Sequence, residues 1–576
     1  MNNFRLHIGV IFRWLLVALL LFAKCYVFDR LINQPALVQW EMVDYLVNGS
    51  AAVLLALFAC LSPKRYPIFI VLCLTDVWMV INILYYRAYH LFITWHLVSI
   101  VQNINGFGNS VLPYFSWSLL AIPALTLPAF LCFAWRAKRF NIIEIAFVFV
   151  LGISLSVCGS YQRWKNLRVY LNDEPFSWEW MNPCKLPQSL SLDISEHERE
   201  AAKYIRHHSI IAYPLFMLND AVCTLSHRKE PAVLSAEEEQ ELQKLIGPIV
   251  TPHMPEGNLL IILLESFESW LLDMSDATGQ PICPALKSYI DNHPVLYVRD
   301  VATQIQYGMS GDGQLIVNTG LYPTLEGVAC VDYGYNKYPN LAHFYPQSAI
   351  VNPCRNVWNQ TVVASAYGYK QLVEPQTEDR FEWNDSIVVD QIIHTLSSMP
   401  SPACVMGITV SGHIPFDSSP DDIPLADTIP MLFRQYMQTA HYTDRQFGRL
   451  LTWADTAEVM QNSVIAITGD HRIFHAWLND EIREYGLRAN LPFGTGQAGC
   501  PLIVRAPAIT STRVIAQGNQ IDIFPTILDF IGQKDYFWKG MGDDLWAGET
   551  GANDAYLLRR HLSDKLIRNN YFSGIE

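Results

Sequence analysis

The sequence predicts an α-helical membrane domain of five spans followed by an extracytoplasmic α/β domain. Three observations lead there. The chain is 51% hydrophobic and only 16% charged, unusually apolar for a soluble enzyme, and its 576 residues are too many for one compact core. That apolar excess is concentrated before about residue 160, and from Asn258 onward short β-rich runs alternate with helix-like stretches.

Five stretches approach the roughly 20 apolar residues needed to cross a bilayer as a helix: Ile8–Phe28, Tyr45–Leu61, Tyr66–Tyr85, Trp117–Trp135 and Ile142 to about Tyr161. The first lacks a small-x-small cleavage pattern behind it and reads as an anchor rather than a cleaved signal. Arg5, the pair Lys64 and Arg65, and the cluster Arg136, Lys138 and Arg139 mark cytoplasmic ends. The first loop balances Arg30 with Asp29, Glu41 and Asp44, and the loop from Arg87 to Phe115 has only that one basic residue. An odd number of spans then places everything beyond Tyr161 outside the cytoplasm, in a multi-pass plasma-membrane protein. Asp76 lies near the middle of the third run, where a charge marks either function or an internal hydrogen bond.

Residues 1–162 are thus the membrane domain, 163–252 a helical linker along the membrane surface, and 253–576 the α/β domain. The linker carries the Trp- and Pro-rich "NDEPFSWEWMNPC" and the helix-forming "SEHEREAAKYIRHH" and "SAEEEQELQKLIG". A net charge of −14 argues against nucleic acid as a partner. The twelve cysteines show no CxxC spacing, so they define neither a disulfide framework nor a zinc site.

In the last domain, "NLLIILLES", "CVMGITVSGHIPF" and "SVIAITGDH" are apolar runs of strand length that turn polar at their carboxyl ends, and "CPLIVRAP" is a fourth run. Uninterrupted apolar strands suit a sheet covered on both faces, and ligands gather outside the carboxyl ends of such strands. Glu265, His413, Asp470 and His471 are therefore candidates to converge on one crevice, as the oxygen and nitrogen ligands of a divalent cation. Taken singly, each also fits a helix cap or a solvated turn. In "IQYGMSGDGQLIVNTGLYP", the turn "GMSGDG" precedes an apolar run and sets Ser310 at a helix start, a setting that favours developing negative charge. Ser310 is the candidate nucleophile, and Ser266, Asp312 and Asn318 either shape the pocket or form turns.

The motifs "LLESFESW", "MSGDGQLIVNTGLYPTLEG", "SGHIPF", "ITGDHRIF" and "QIDIFPTILDFIG", in that order behind five spans, resemble the lipoteichoic acid synthase-like membrane phosphoglycerol transferases, of the sulfatase-like branch of the alkaline phosphatase superfamily. The resemblance implies an alkaline phosphatase/sulfatase-like α/β domain in which Glu265, Ser310, Asp470 and His471 hold one divalent metal, commonly manganese, with magnesium or zinc as alternatives. Ser310 stands twelve residues before Tyr322, the position of the family's nucleophilic Thr. His413 matches the histidine that contacts the phosphate and assists the leaving oxygen.

The family's head-group motif retains Trp358 but has Gln360 where an Arg is usual, with Arg355 three residues before the Trp; the Lys that precedes the nucleophile is Met309. Losing the Arg removes a bidentate grip on phosphate. The resemblance implies two-step transfer of a phospholipid head group through a phosphodiester on Ser310 to an extracytoplasmic glycan or lipid-linked acceptor. Phosphoethanolamine transfer is the first alternative, and a degenerate, non-catalytic lipid sensor is the second. A sulfatase is disfavoured because neither Ser310 nor any cysteine begins a Cys/Ser-x-Pro-x-Arg motif. His475 is a candidate for a second metal or an aromatic loop, and His441 and Asp444 read as the outer face of an amphipathic helix.

Overall fold

In the computed structural model the described residues are 2–32, 40–89, 92–95, 114–133, 139–167, 175–184, 200–353, 357–375, 384–413, 416, 421–473, 485–491, 499–549 and 554–575. Those up to Ser226 form one compact unit and those from His227 a second, so the division falls inside the segment expected to be a separate linker.

Among the described residues, four helices of the first unit are long and apolar enough to span a membrane: α1 (Asn2–Ile32), α2 (Met42–Cys60), α3 (Tyr66–Tyr89) and α4 (Ile142–Leu167). The run expected as the fourth span differs. Its described part is a chain of short turns, Trp117–Leu120, Ala121–Ala124 and Leu127–Phe133, in place of one regular helix. Pro123 and Pro128 explain this, because each lacks the N–H that an α-helix needs and crowds the preceding turn. Helices α2 and α4 approach closely at small residues. A Cβ on Gly152 would come within 2.5 Å of the Leu54 side chain, and one on Gly159 within 2.8 Å of that of Val47, so a larger residue at either position would have to displace its neighbour.

Asp76 resolves in favour of the internal bond. Its carboxylate pairs with the fully buried Lys24 of α1, and its other oxygen accepts the Thr126 hydroxyl at 2.6 Å. The Lys24 ammonium also donates to Thr126 Oγ1 at 2.6 Å and to the Leu72 carbonyl at 3.4 Å, which ties α1 and α3 to the broken segment. Two further helices close this unit, α5 (Glu200–His208) and α6 (Tyr213–His227).

The second unit begins with α7 (Ala236–Leu245), whose start is set by a capping box between Ser235 and Glu238. An eight-stranded sheet follows: β1 (Leu259–Leu264), β2 (Leu296–Ala302), β3 (Gln347–Val351), β4 (Gln371–Val373), β5 (Ala403–Ile408), β6 (Val464–Gly469), β7 (Cys500–Arg505) and β8 (Arg513–Asn519). The order is β4-β3-β5-β1-β6-β7-β2-β8, parallel except for β7, which runs antiparallel to both its neighbours. All six residues of β1 are buried. Leu259, Ile261 and Leu263 enter one core and Leu260, Ile262 and Leu264 the other, as the two-residue period of a strand covered on both faces demands. Helices α8 (Pro284–Asn292), α9 (Met309–Thr319), α10 (Gln360–Ala366), α11 (Asp385–Ser398), α12 (Met431–Thr456), α13 (Ile523–Phe530) and α14 (Tyr556–Arg568) complete the unit. Strand β1 lies between β5 and β6, so the three strands carrying the predicted site residues are neighbours at the centre of the sheet.

Candidate metal centre

Glu265 leaves the end of β1 and Asp470 and His471 leave the end of β6, and Ser310 is the second residue of α9. Although 205 residues separate Glu265 from Asp470, ligand atoms of Glu265, Asp470 and His471 all lie within 4.8 Å of one another. Ser310 Oγ donates to Glu265 Oε2 at 3.1 Å and lies 3.3 Å from His471 Nε2. The imidazole is oriented from behind: Nδ1 faces the Arg472 carbonyl at 3.0 Å, leaving Nε2 toward the cluster, 3.5 Å from Glu265 Oε1 and 3.7 Å from Asp470 Oδ2.

Backbone contacts hold these groups in place. Asp470 Oδ1 accepts the amides of Ser266 at 2.8 Å and His471 at 2.7 Å. The Ser266 hydroxyl donates to Glu265 Oε1 at 2.9 Å, and the Glu265 amide donates to Thr409 Oγ1 at 2.7 Å. Two glycines allow the elements to meet. A Cβ on Gly313 of α9 would fall 2.4 Å from the Asp470 carbonyl oxygen, and one on Gly412 would fall 2.1 Å from that of Glu265. Ser266 and Met309 have φ of 55° and 41°, left-handed conformations costly for side-chain-bearing residues, on both sides of the cluster.

Burial alone would raise the Glu265 carboxyl, yet its bond to His471 and the nearby imidazole charge hold it down at about 2. Burial, then the Glu265 charge, push Asp470 up to about 7. Burial opposes a charged His471, but the Asp470 and Glu265 carboxylates outweigh it and raise the imidazole. Two carboxylates thus face a single proton-holding ring, while Asp470 Oδ2, fully buried, meets no hydrogen-bond donor among the described residues. An acceptor left in that state needs a positive partner. The donor set of two carboxylates, one imidazole and one hydroxyl fits a divalent cation, and Glu265, Asp470 and His471 form a possible site for one.

The remaining predicted residues divide. His413 lies five residues beyond the end of β5 and is exposed. Trp358 is half-buried, left-handed at φ 51°, and packs beside Gly311, where an added Cβ would lie 3.4 Å from its own. Gln360 is fully buried, and its amide nitrogen donates to Gln314 Oε1 of α9 at 2.8 Å. Arg355 and His475 lie outside the described residues. Asp312 is a turn former: its Oδ2 accepts the amides of Gln306 at 2.8 Å and Gly308 at 2.9 Å, fixing the loop before Ser310. Asn318 bonds to Gln314 and Tyr369 inside the core. Asp444 is not on an outer face. It is fully buried and accepts the amides of Ala285 at 2.7 Å and Leu286 at 2.8 Å, capping α8, while His441 faces the Ile282 carbonyl at 2.8 Å.

Three supporting residues carry no local sequence signal. Glu268, fully buried, accepts the Trp270 indole and the Ile473 amide at 2.7 Å each, which anchors the chain two residues past His471. Asp385 accepts the amides of Val410 at 2.8 Å and Ser411 at 3.0 Å and so holds the loop leading to His413. Gln520 donates to the Asp470 carbonyl at 2.6 Å.

The fold and this site define a membrane-anchored member of the alkaline phosphatase superfamily. Residues 258–533 match the sulfatase family model and residues 1–169 match that of the lipoteichoic acid synthase N-terminal domain. Lipoteichoic acid synthase 1 of Bacillus subtilis is 26% identical over 314 residues, 50% of this chain and 48% of that relative. The lipoteichoic acid synthase of Staphylococcus aureus is 21% identical over 490 residues, 81% of this chain and 72% of that one. The solved structure of the integral membrane lipooligosaccharide phosphoethanolamine transferase A of Neisseria meningitidis is 11% identical, covers 92% of this chain and 96% of its own, and superposes with a TM-score of 0.50, a likeness of fold. The match to the Bacillus relative spans about half of that relative's length. The chain is a lipoteichoic acid synthase-like protein of the alkaline phosphatase superfamily, placed in the inner (plasma) membrane with its α/β unit outside the cytoplasm.

Proposed function

We propose that the chain is a phosphotransferase that moves a phospholipid head group, of the phosphoglycerol type, onto an extracytoplasmic glycan or lipid-linked acceptor through an ester on Ser310. The observation that carries this reading is the Ser310 hydroxyl, held within hydrogen-bond reach of both Glu265 and His471 at the start of α9. A divalent cation at that site, manganese by analogy with the family, supplies positive charge that lowers the hydroxyl pKa and stabilises the phosphoryl oxygens.

Glu265 orients the Ser310 hydroxyl by accepting its hydrogen bond, and with a cation held by Glu265, Asp470 and His471 the serine proton would pass to solvent. A bond forms between Ser310 Oγ and phosphorus as the bond to the diacylglycerol oxygen breaks, and the exposed His413 gives a proton to that leaving oxygen. In the second half, the acceptor hydroxyl gives its proton to the now neutral His413 and attacks the same phosphorus as the bond between phosphorus and Ser310 Oγ breaks. The α9 backbone amides at Ser310 favour the charge that builds on the transferred group.

Two sequence features favour phosphoethanolamine as the alternative head group. Met309 and Gln360 remove two cations, a change that suits a donor carrying its own positive charge, and Trp358 beside Gly311 offers an aromatic face for an ammonium. The test is to incubate the full-length protein, in nanodiscs with manganese, with phosphatidylglycerol or phosphatidylethanolamine and weigh the Ser310 peptide. Added phosphoglycerol supports the first reading and added phosphoethanolamine the second. An unmodified peptide, with lipid turnover unchanged in Ser310→Ala, refutes the mechanism.

A further inference from the structure

Helix α12 carries three buried hydroxyls, Tyr436, Thr439 and Thr443, and their spacing of three and then four residues puts them on one stripe. Each reaches the loops that follow the central strands or the residue that holds them. The Tyr436 hydroxyl donates to the Ser266 carbonyl and accepts the Glu268 amide at 3.1 Å. Thr439 Oγ1 donates to the Phe416 carbonyl at 3.3 Å. Thr443 Oγ1 donates at 2.6 Å to Asp385 Oδ2, and the other oxygen of that carboxylate accepts the Val410 and Ser411 amides.

Packing alone does not call for such a stripe. A hydroxyl on a buried helix face is a cost unless it finds a partner, and a Thr can find one on the carbonyl a turn back in its own helix. These three bond to other segments instead. Tyr436 meets the most exacting demand. Ser266 is left-handed at φ 55°, its amide donates to Asp470 and its hydroxyl to Glu265. The carbonyl of Ser266 and the amide of Glu268 are buried in the same turn, and the phenol, kept protonated by burial, serves both. Glu268 passes the constraint on, because its Oε1 accepts the Ile473 amide two residues past His471. The Tyr436 ring also lies 5.0 Å from that of Phe416, whose amide donates to the His413 carbonyl at 3.0 Å.

We propose that α12 is the brace of the cluster: through Tyr436 it positions the loops bearing Glu265, Asp470 and His471, and through Thr439 and Thr443 the separate loop bearing His413. All three act through backbone groups or through Asp385, which makes them positioning residues. The inference rests on the metal reading of the cluster, but its two arms can be told apart with the ion and without it.

The test compares the full-length protein in nanodiscs with Tyr436→Phe, Thr443→Val and, to show the effect of lost stability alone, Leu450→Ala, a fully buried change on the same helix. Manganese affinity is measured by calorimetry, and amide exchange by peptide mass spectrometry on the metal-free protein. Tyr436→Phe is expected to weaken manganese binding by about ten-fold and to speed exchange at 265–268 and 470–473. Thr443→Val is expected to keep the parent affinity and to speed exchange at 410–413 only. Leu450→Ala should lower the unfolding midpoint and do neither. An affinity that Tyr436→Phe leaves unchanged overturns the brace, as does the same exchange pattern in the Tyr436 and Thr443 variants, or an equal loss of affinity in Leu450→Ala. A parent protein that binds no manganese refutes the metal reading, and the two exchange patterns then decide the brace by themselves: distinct patterns support it and identical ones overturn it.

Discussion

The two units each bury a cluster of charged side chains, and they treat it in opposite ways. In the membrane unit Lys24, Asp76 and Thr126 form a closed set: both Asp76 oxygens are engaged and the ammonium has three acceptors. In the α/β unit Glu265, Asp470, His471 and Ser310 form an open set, with like charges facing each other and Asp470 Oδ2 lacking a hydrogen-bond donor among the described residues. A closed set is what a fold uses to fix the register of its helices. An open one is tolerated where something from outside completes it. The contrast separates a structural ion pair from a reactive centre although both are almost wholly buried.

The strongest way to break this comparison is at the nucleophile. Ser310→Ala should lower head-group transfer by about ten-thousand-fold or more while leaving manganese binding measurable by calorimetry; transfer at the parent rate would remove Ser310 from the chemistry. Next in size is Lys24→Met, which strands Asp76 in the bilayer and should cost about 3–5 kcal/mol of stability, with most of it regained in the Lys24→Met, Asp76→Leu double variant. Unfolding midpoints in nanodiscs report both, and a double variant no better than the single would mean that the set is not closed.

Asp470→Asn should abolish tight manganese binding, yet leave the metal-free protein equally stable or up to about 1 kcal/mol more so, because it relieves repulsion with Glu265. A large loss of stability would place Asp470 with the structural pairs. Gly313→Ala pushes a methyl against the Asp470 carbonyl and should weaken metal affinity by about 10–100-fold through displacement of the ligand; an unchanged affinity would show that α9 and β6 are not rigidly coupled.

The smallest effect is a dependence on pH. Asp470 and His471 both hold protons above their ordinary ranges and must release them to bind a cation, so manganese affinity should rise with pH, most visibly around Asp470's value of about 7. Calorimetry in buffers of differing ionisation enthalpy would measure the protons released, and a flat profile would contradict the cluster's proton sharing.

The open set was legible in the sequence because strands covered on both faces leave an unbroken apolar run, so the first polar residue after Leu264 or Gly469 stands out as a strand end. Ser310 could be read from the turn before its helix, but the proposal that it is the nucleophile needed the family resemblance. Closure of the membrane set was not legible, since Lys24, Asp76 and Thr126 lie far apart and their meeting is a product of packing. The broken fourth run was misread for a different reason: hydropathy outweighed Pro123 and Pro128, although both were in view. Glu268, Asp385 and Gln520 escaped notice because each acts by accepting or donating to backbone of a distant segment, which leaves no pattern among its own neighbours. Gln360 sits at the head-group position, but its amide faces Gln314, a pairing that only the folded chain reveals.

Strands β5, β1 and β6 adjoin one another, so Glu265, His413, Asp470 and His471 follow three consecutive rungs of the sheet, and α9 brings Ser310 to them from the long segment between β1 and β5. Turns at the opposite edge of the sheet can change in length without disturbing those rungs. A lineage can thereby vary what surrounds the cluster while inheriting its donor atoms intact.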